Sequence, residues 1–206
     1  MQWIAMLTML IDHIGAVFFP DQQWLRIIGR IAFPLYAYLM VIGYQRTRSY
    51  TKYVLRVALL AAISQPMYQW AFDTKHFNII VTLLVGLILF KLMDAAAKNT
   101  IIQCLGVITA LFAAEWFSLD YGAYGLALML IFRYASRERM VLYHGLLELL
   151  YLLVWGIQFF SLIVTCFISF LPNWVKKVDQ INVPRWLWRS FYPLHLLIIA
   201  IISYNI

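Results

Sequence analysis

The sequence predicts an all-α polytopic membrane protein, a bundle of about nine transmembrane helices (eight to ten) with the N-terminus inside. Three observations predict it. Of 206 residues, 64% are hydrophobic and only 12% charged, against about 25% charged in ordinary soluble domains, and the mean hydropathy is +0.80. Apolar segments close to the roughly 17–20 residues that a spanning helix needs tile almost the whole chain. Basic residues also collect in alternate connections, as they do in cytoplasmic loops. The net charge of +7 is therefore read as membrane topology, and no nucleic-acid partner is expected.

The expected spans are 2–19, 25–44, 53–70, 77–93, 100–117, 121–135, 139–155, 157–172 and 187–205. The first, WIAMLTMLIDHIGAVFF, is expected to stay as a helix: no Lys or Arg precedes Arg26, and polar residues interrupt it, unlike a signal peptide. The second exits into Arg46, Arg48, Lys52 and Arg56. Further basic clusters are Lys91 with Lys98, then Arg133, Arg137 and Arg139, then Lys176, Lys177, Arg185 and Arg189. The intervening connections carry Asp21, Asp73 with Lys75, and Glu115 with Asp120, with no charge near Trp155 and Gly156. The longest polar stretch, Pro172 to Arg185, reads as a basic cytoplasmic loop. Trp3, Trp24, Tyr68, Trp70, Trp116 and Trp188 read as interfacial belts. Residues 1–206 form one domain; oligomeric state is not legible, because buried and lipid-facing surfaces are equally apolar.

Asp12 and His13 lie in the middle of the first span. An ionisable group at that depth costs between roughly 2.5 and more than 10 kcal/mol, and such residues usually face a bundle interior or an aqueous cavity. At ~1.5 Å per residue, His13 sits about 16 Å along the helix from Gln2, just outside the bilayer midplane. Arg30, Ser64, Gln65, Asn78, Thr82, Glu115, Asp120 and His195 all fall in the middle or outer half by the same reckoning. They can converge on one outward-leaning cavity. Plain structural roles stand beside this: Asp12 as counterion of Arg30, the histidines bonded to carbonyls, and Ser64, Gln65, Asn78 and Thr82 as interhelical hydrogen-bonding groups. Glu148 and His144, at i and i+4, can pair structurally. Adjacent helical positions point about 100° apart, so contact between Asp12 and His13 is not assured. No metal is expected, since His13, Asp12 and His195 show no ligand-spacing motif. Cys104 and Cys166 fall inside helices without disulfide or metal spacing.

The strings LTMLIDHIGAVFFP, WLRIIGRIAFPLYAYLMVIGYQRTRSYTKYVLR, FNIIVTLLVGL, DYGAYGLALMLIFRY and FYPLHLLII together resemble the TraX family, from the first span to the last. Its namesake is the conjugative-plasmid protein associated with acetylating the N-terminus of F-type pilin. The family in turn looks like a compact member of the transmembrane acyltransferase superfamily. The resemblance implies a multi-pass acyltransferase of the bacterial inner membrane. It would move an acetyl group from cytoplasmic acetyl-CoA to an acceptor amine or hydroxyl on a pilin N-terminus, peptide, glycan or small molecule. His13 matches the essential first-span histidine, and Arg46, Arg48 and Arg56 become candidates for the phosphates of CoA. In this reading His13 is the base and Asp12 orients it. Arg30, Asn78, Tyr192 and His195 support the chemistry or place the acceptor. The competing expectation is a proton-coupled transporter built on Asp12 and His13; against it, no inverted repeat or matched pair of broken helices is evident.

Overall fold

A computed structural model describes residues 1–152, 156–179 and 183–205, apart from the side chains of Lys176 and Asp179. Among these residues the chain is a bundle of α-helices with no β-sheet, only an isolated bridge between Phe77 and Leu119. The expected helical segments are present. Only two, however, combine the length and hydropathy needed to cross a bilayer: Gln23–Arg46 and Arg185–Tyr204. The others are shorter or more polar, so the nine-span expectation stands here only as a helical bundle. The end of the expected seventh span (153–155) and residues 180–182 lie outside the described residues.

Helix α1 (Gln2–Phe18) buries Ala5, Met9, Asp12 and Gly15 and turns Trp3, Ile4 and Leu7 outward. The expected second span is two helices, α2 (Gln23–Gly29) and α3 (Ala32–Arg46). Pro34 explains the break. It has no N–H to donate to the carbonyl four residues back, that of Arg30, and the helix yields at Arg30 and Ile31. Gly29 is required where α2 meets α1, because a Cβ there would overlap Asp12. Small residues at such crossings let two backbones approach closely.

Helix α4 (Tyr50–Phe72) packs along α11 (Arg185–Tyr204). The next helix, α5 (Ile79–Ala95), begins at an Asn78 cap whose Oδ1 accepts the Ile80 N–H at 3.0 Å, a standard solution for an unsatisfied helix N-terminus. Helix α6 (Thr100–Trp116) lies at the periphery and buries Ala114 alone. Helix α7 (Gly122–Tyr134) is the centre of the molecule: Tyr124, Leu126, Leu128 and Met129 are fully buried. Helices α8 (Arg137–Tyr151) and α9 (Leu162–Phe170) form a hairpin, with a 3₁₀ turn over Gly156–Ser161 leading into α9.

The stretch expected as a basic loop from Pro172 is instead a short helix, α10 (Pro172–Asp179). Proline suits the first helical turn, where its missing N–H would have had no partner. Trp174 is exposed there, with the Lys177 ammonium 5.6 Å from its ring centre. Tyr68 is a second correction. It was expected in an interfacial belt, but it is buried among the core residues because its position on α4 faces the bundle rather than the rim.

Candidate functional site

Three elements bring charge to one region of the bundle. From α1 comes Asp12, from α2 and the break after it come Arg26 and Arg30. Arg26 Nη1 lies 2.9 Å from Asp12 Oδ1, and Arg30 Nη2 lies 3.3 Å from the same oxygen. Arg26 also donates to the Asp12 carbonyl at 3.0 Å. Asp12 is thus a counterion clamped by two guanidiniums. The expectation that it orients His13 is corrected, for the reason given by helix geometry: neighbouring side chains diverge, and α2 packs on the Asp12 side.

His13 pairs elsewhere. Its Nδ1 is 2.8 Å from Nε2 of His195, and Nδ1 of His195 is 2.7 Å from the Phe191 carbonyl. The rings of the two histidines stack at 5.0 Å between centroids. A carbonyl only accepts, so His195 carries its proton on Nδ1 and presents a lone pair at Nε2. His13 must then donate from Nδ1, and a neutral His13 keeps its lone pair on Nε2. The chain of bonds selects one tautomer for each ring.

Asp12, His13, Arg26 and Arg30 line a cavity of about 260 Å³, closed by Phe33, Tyr36, Tyr68, Phe72, Asp120 and Tyr121 among others. A second cavity of about 420 Å³ adjoins it, sharing Arg26, Arg30, Asp120 and Tyr121 and adding Gly156, Ile157 and Gln158. Arg30 stands at the junction: Nε donates to the Arg26 carbonyl, Nη1 to Gln158 Oε1 at 3.1 Å, and Nη2 to Asp12.

Asp120 is held by its backbone. Its N–H donates to the Phe77 carbonyl at 3.0 Å, and its carbonyl accepts from the Thr82 hydroxyl. The turn around it is tight, with positive φ at Ser118, Tyr121 and Gly122. At Gly122 a side chain would also meet the Glu115 carboxylate, which accepts the Ala123 N–H at 2.7 Å. Asp120 belongs to the loop between α6 and α7. Burial pushes its carboxyl up to about 6, against the lowering influence of Arg30.

Other expected site residues lie apart. Asn78 caps α5 and donates to the Ala61 carbonyl and to Gln65 Oε1, at 2.9 and 2.8 Å. Its capacity is used structurally, and it lines neither cavity, which corrects the expectation that it serves the chemistry. Tyr192 packs edge-on against both histidines. Its hydroxyl is buried toward the Ile79 backbone without a hydrogen bond of good geometry, and it too lines neither cavity. Arg46, Arg48 and Arg56 are exposed at the far end of α3 and the start of α4, and Arg56 donates to the Lys52 carbonyl at 2.9 Å. Three residues were overlooked in sequence: Arg26, Tyr68 and Gln158. Arg26 had a signal, since like charges at i and i+4 repel unless a shared anion lies between them. Gln158 had a weaker one, a single amide within GIQFFS.

A second polar cluster is fully enclosed. Glu148 Oε1 accepts from the Tyr124 hydroxyl at 2.6 Å and the Ser161 hydroxyl at 2.5 Å, and lies 3.0 Å from His144 Nε2. His144 Nδ1 is 2.6 Å from the Thr165 hydroxyl. Gln158 Nε2 donates to the Tyr124 hydroxyl at 3.2 Å, joining this cluster to Arg30.

A family model described as TraX protein matches residues 1–203. The chain belongs to the TraX family. Among curated proteins, this TraX chain is similar to a probable fimbrial assembly protein, FimC of serogroup H1, from Dichelobacter nodosus. The two are 28% identical over 96% of this chain and 91% of that one. It is also 28% identical to an uncharacterized protein of Rickettsia prowazekii (strain Madrid E), over 66% of this chain and 54% of the relative. No solved structure matches.

Proposed function

We propose that this TraX protein is a multi-pass enzyme of the bacterial cytoplasmic membrane that transfers an acetyl group from acetyl-CoA to an acceptor at its outer side. The observation that carries the reading is the His13–His195 pair, which leaves the Nε2 lone pair of His13 as a base on a cavity walled by two guanidiniums. A bilayer environment is supported by an inverted polarity pattern. Ile101, Leu105, Ile108, Phe112 and Trp116 form an exposed apolar stripe on α6, whereas Asp12, His144 and Glu148 are buried. Apolar surface of that extent needs a covering partner or membrane.

In this reading the acceptor nitrogen or oxygen attacks the thioester carbonyl carbon. His13 Nε2 takes the acceptor's proton as the new C–N or C–O bond forms. The imidazolium charge is spread through Nδ1–H to His195 and on to the Phe191 carbonyl, the role an acid plays in a hydrolase triad. Arg30 has five N–H donors, and three bonds occupy it. Its remaining N–H groups would meet the oxyanion as charge develops, a contribution typically worth a few kcal/mol. The C–S bond then breaks, and the thiolate leaves with the proton held by His13. Arg46, Arg48 and Arg56 would receive the CoA phosphates at the cytoplasmic face, where guanidinium groups bind phosphate oxygens bidentately. The 15 residues of α3 separate that face from Arg30 by about 22 Å. The relative named for fimbrial assembly supports a pilin amino terminus as acceptor.

The test uses the purified protein in detergent with acetyl-CoA labelled in the acetyl group. Transfer of label to a free amine or to water, lost in His13→Ala, is the expected result. A folded His13→Ala protein with ordinary turnover would return His13 to a structural role. Arg46→Ala with Arg48→Ala should weaken acetyl-CoA binding; unchanged affinity would leave them as topology signals alone.

A further inference from the structure

Resting on the acyl-transfer reading, we propose that Asp120 is the acceptor-positioning residue, and that its carboxylate receives the N–H of a primary amine entering the cavity of His13. The two cavities share Arg26, Arg30, Asp120 and Tyr121, so Asp120 lines both the second cavity and the one that holds His13. Asp12 and Asp120 both line the cavity of His13, but their surroundings differ. Asp12 is gripped by both arginines. Among the described residues no salt bridge reaches Asp120, and the Tyr68 hydroxyl hydrogen-bonds to it. The Tyr68 hydroxyl and the Tyr121 N–H reach this carboxylate and leave acceptor positions on its two oxygens, to which an incoming N–H can bond.

The position is also fixed in advance. The Asp120 backbone is tied to Phe77 on α5's approach and to Thr82 inside α5, so the carboxylate is held on packed helices rather than on a free loop. Such support keeps a binding group within tenths of an ångström of its working place. The neighbouring guanidiniums add a second selection. They disfavour a bound ammonium, so an amine is held in its neutral form, the form that can attack a carbonyl. A hydroxyl acceptor gains less, since once its proton is directed at His13 it has none left for Asp120. An amine has a second N–H. Asp120 therefore sets a preference for amines over hydroxyls.

The experiment reads binding without acyl-CoA, so that it stands or falls separately from acetyl transfer. Full-length protein in nanodiscs is titrated with tetraalanine amide bearing a free amino terminus, and with the counterpart in which a hydroxyl replaces that amino group. The free amine should bind about tenfold more tightly, the scale of one hydrogen bond to a charged group. Asp120→Asn should reduce that preference to less than about threefold, while Asp120→Glu, which keeps the charge, retains its direction. Asp94→Asn, an exposed carboxylate paired with Arg133 on the other side of the bundle, serves as control and keeps the full preference. Equal binding of the two peptides by the wild type, or an undiminished preference in Asp120→Asn, overturns the proposal. The labelled-acetyl assay on the same preparations tests the acyl-transfer reading by itself.

Discussion

Two groups of polar side chains lie inside this bundle, one fully buried and one half-buried around Asp12, built on opposite plans. The cluster of Tyr124, His144, Glu148, Ser161 and Thr165 is closed: each member is fully buried and bonded to others of the set. The cavity of His13 is lined by Asp12, His13, Arg26, Arg30 and Asp120, and several of their bonding positions are not used among the described residues. Both hold a histidine near a carboxylate. In the closed cluster the two meet directly, at 3.0 Å. In the open one the carboxylate is turned to arginines and the histidine to another histidine. A histidine bound to its own carboxylate, with every position occupied, is suited to holding helices together. One bonded on a single side and facing space is suited to taking up a proton.

The largest effect should separate the two regions by stability. Glu148→Ala leaves His144, Tyr124 and Ser161 without their common acceptor in a closed interior. Breaking a buried charged pair on one side costs about 3–5 kcal/mol. Thermal unfolding in detergent should show it, and a shift within the noise would mean that the closed cluster is not structural. His13→Ala should do the reverse. Loss of a general base lowers turnover about 10²–10⁴-fold while the melting temperature moves little; a large drop in melting temperature would make the two regions alike.

Gln158→Leu probes the bond between the regions. It removes the hydrogen bond to Arg30, worth about 1.5–3 kcal/mol, together with the one to the Tyr124 hydroxyl, and frees Arg30 from the closed cluster. Turnover should fall more than stability, and Gln158→Glu should recover part of it by restoring an acceptor for Arg30. Equal effects of both variants would argue against a link.

The last comparison concerns pH. Asp120 sits at about 6 in the fold against 3.8 for an ordinary aspartate, mainly through burial, with Arg30 and Arg26 lowering it and Asp12 raising it. A carboxyl raised on folding stabilises the protein fully below the unfolded value, and that contribution is lost as pH rises through the folded one. The wild type should therefore lose stability relative to Asp120→Asn between about pH 4 and pH 6, with no further divergence above. Parallel melting curves over that window would show that Asp120 does not titrate in this way.

Much of this arrangement was legible in sequence, and the misses share a cause. Composition and apolar tiling indicated a helical bundle, and the depth of Asp12, His13, Arg30 and Asp120 placed them near one cavity. Ser64, Gln65, Asn78, Thr82, Glu115 and His195, expected with them, line neither cavity. What linear order could not supply was azimuth. Asp12 and His13 are neighbours in the chain, yet the rotation between adjacent helical positions sends them to different partners. Asn78 shares the depth of the cavity but sits at a helix start, where its amide is occupied by capping. Tyr68 has the position of a belt residue and faces inward. The break before Pro34 divides the single span expected over 25–44, and its consequence, Arg30 placed between two cavities, needed the third dimension.

The bond from His195 Nδ1 to the Phe191 carbonyl has a further consequence. The last member of the histidine relay is main chain, and every amino acid supplies the same carbonyl. No substitution at position 191 can delete it, so a scan of side chains will find two members of the relay and miss the third. A change of register reaches it: one residue inserted between Phe191 and His195 would rotate the ring by about 100° about the helix axis. The relay is therefore sensitive to insertions and deletions in α11 to a degree that point mutation will not reveal.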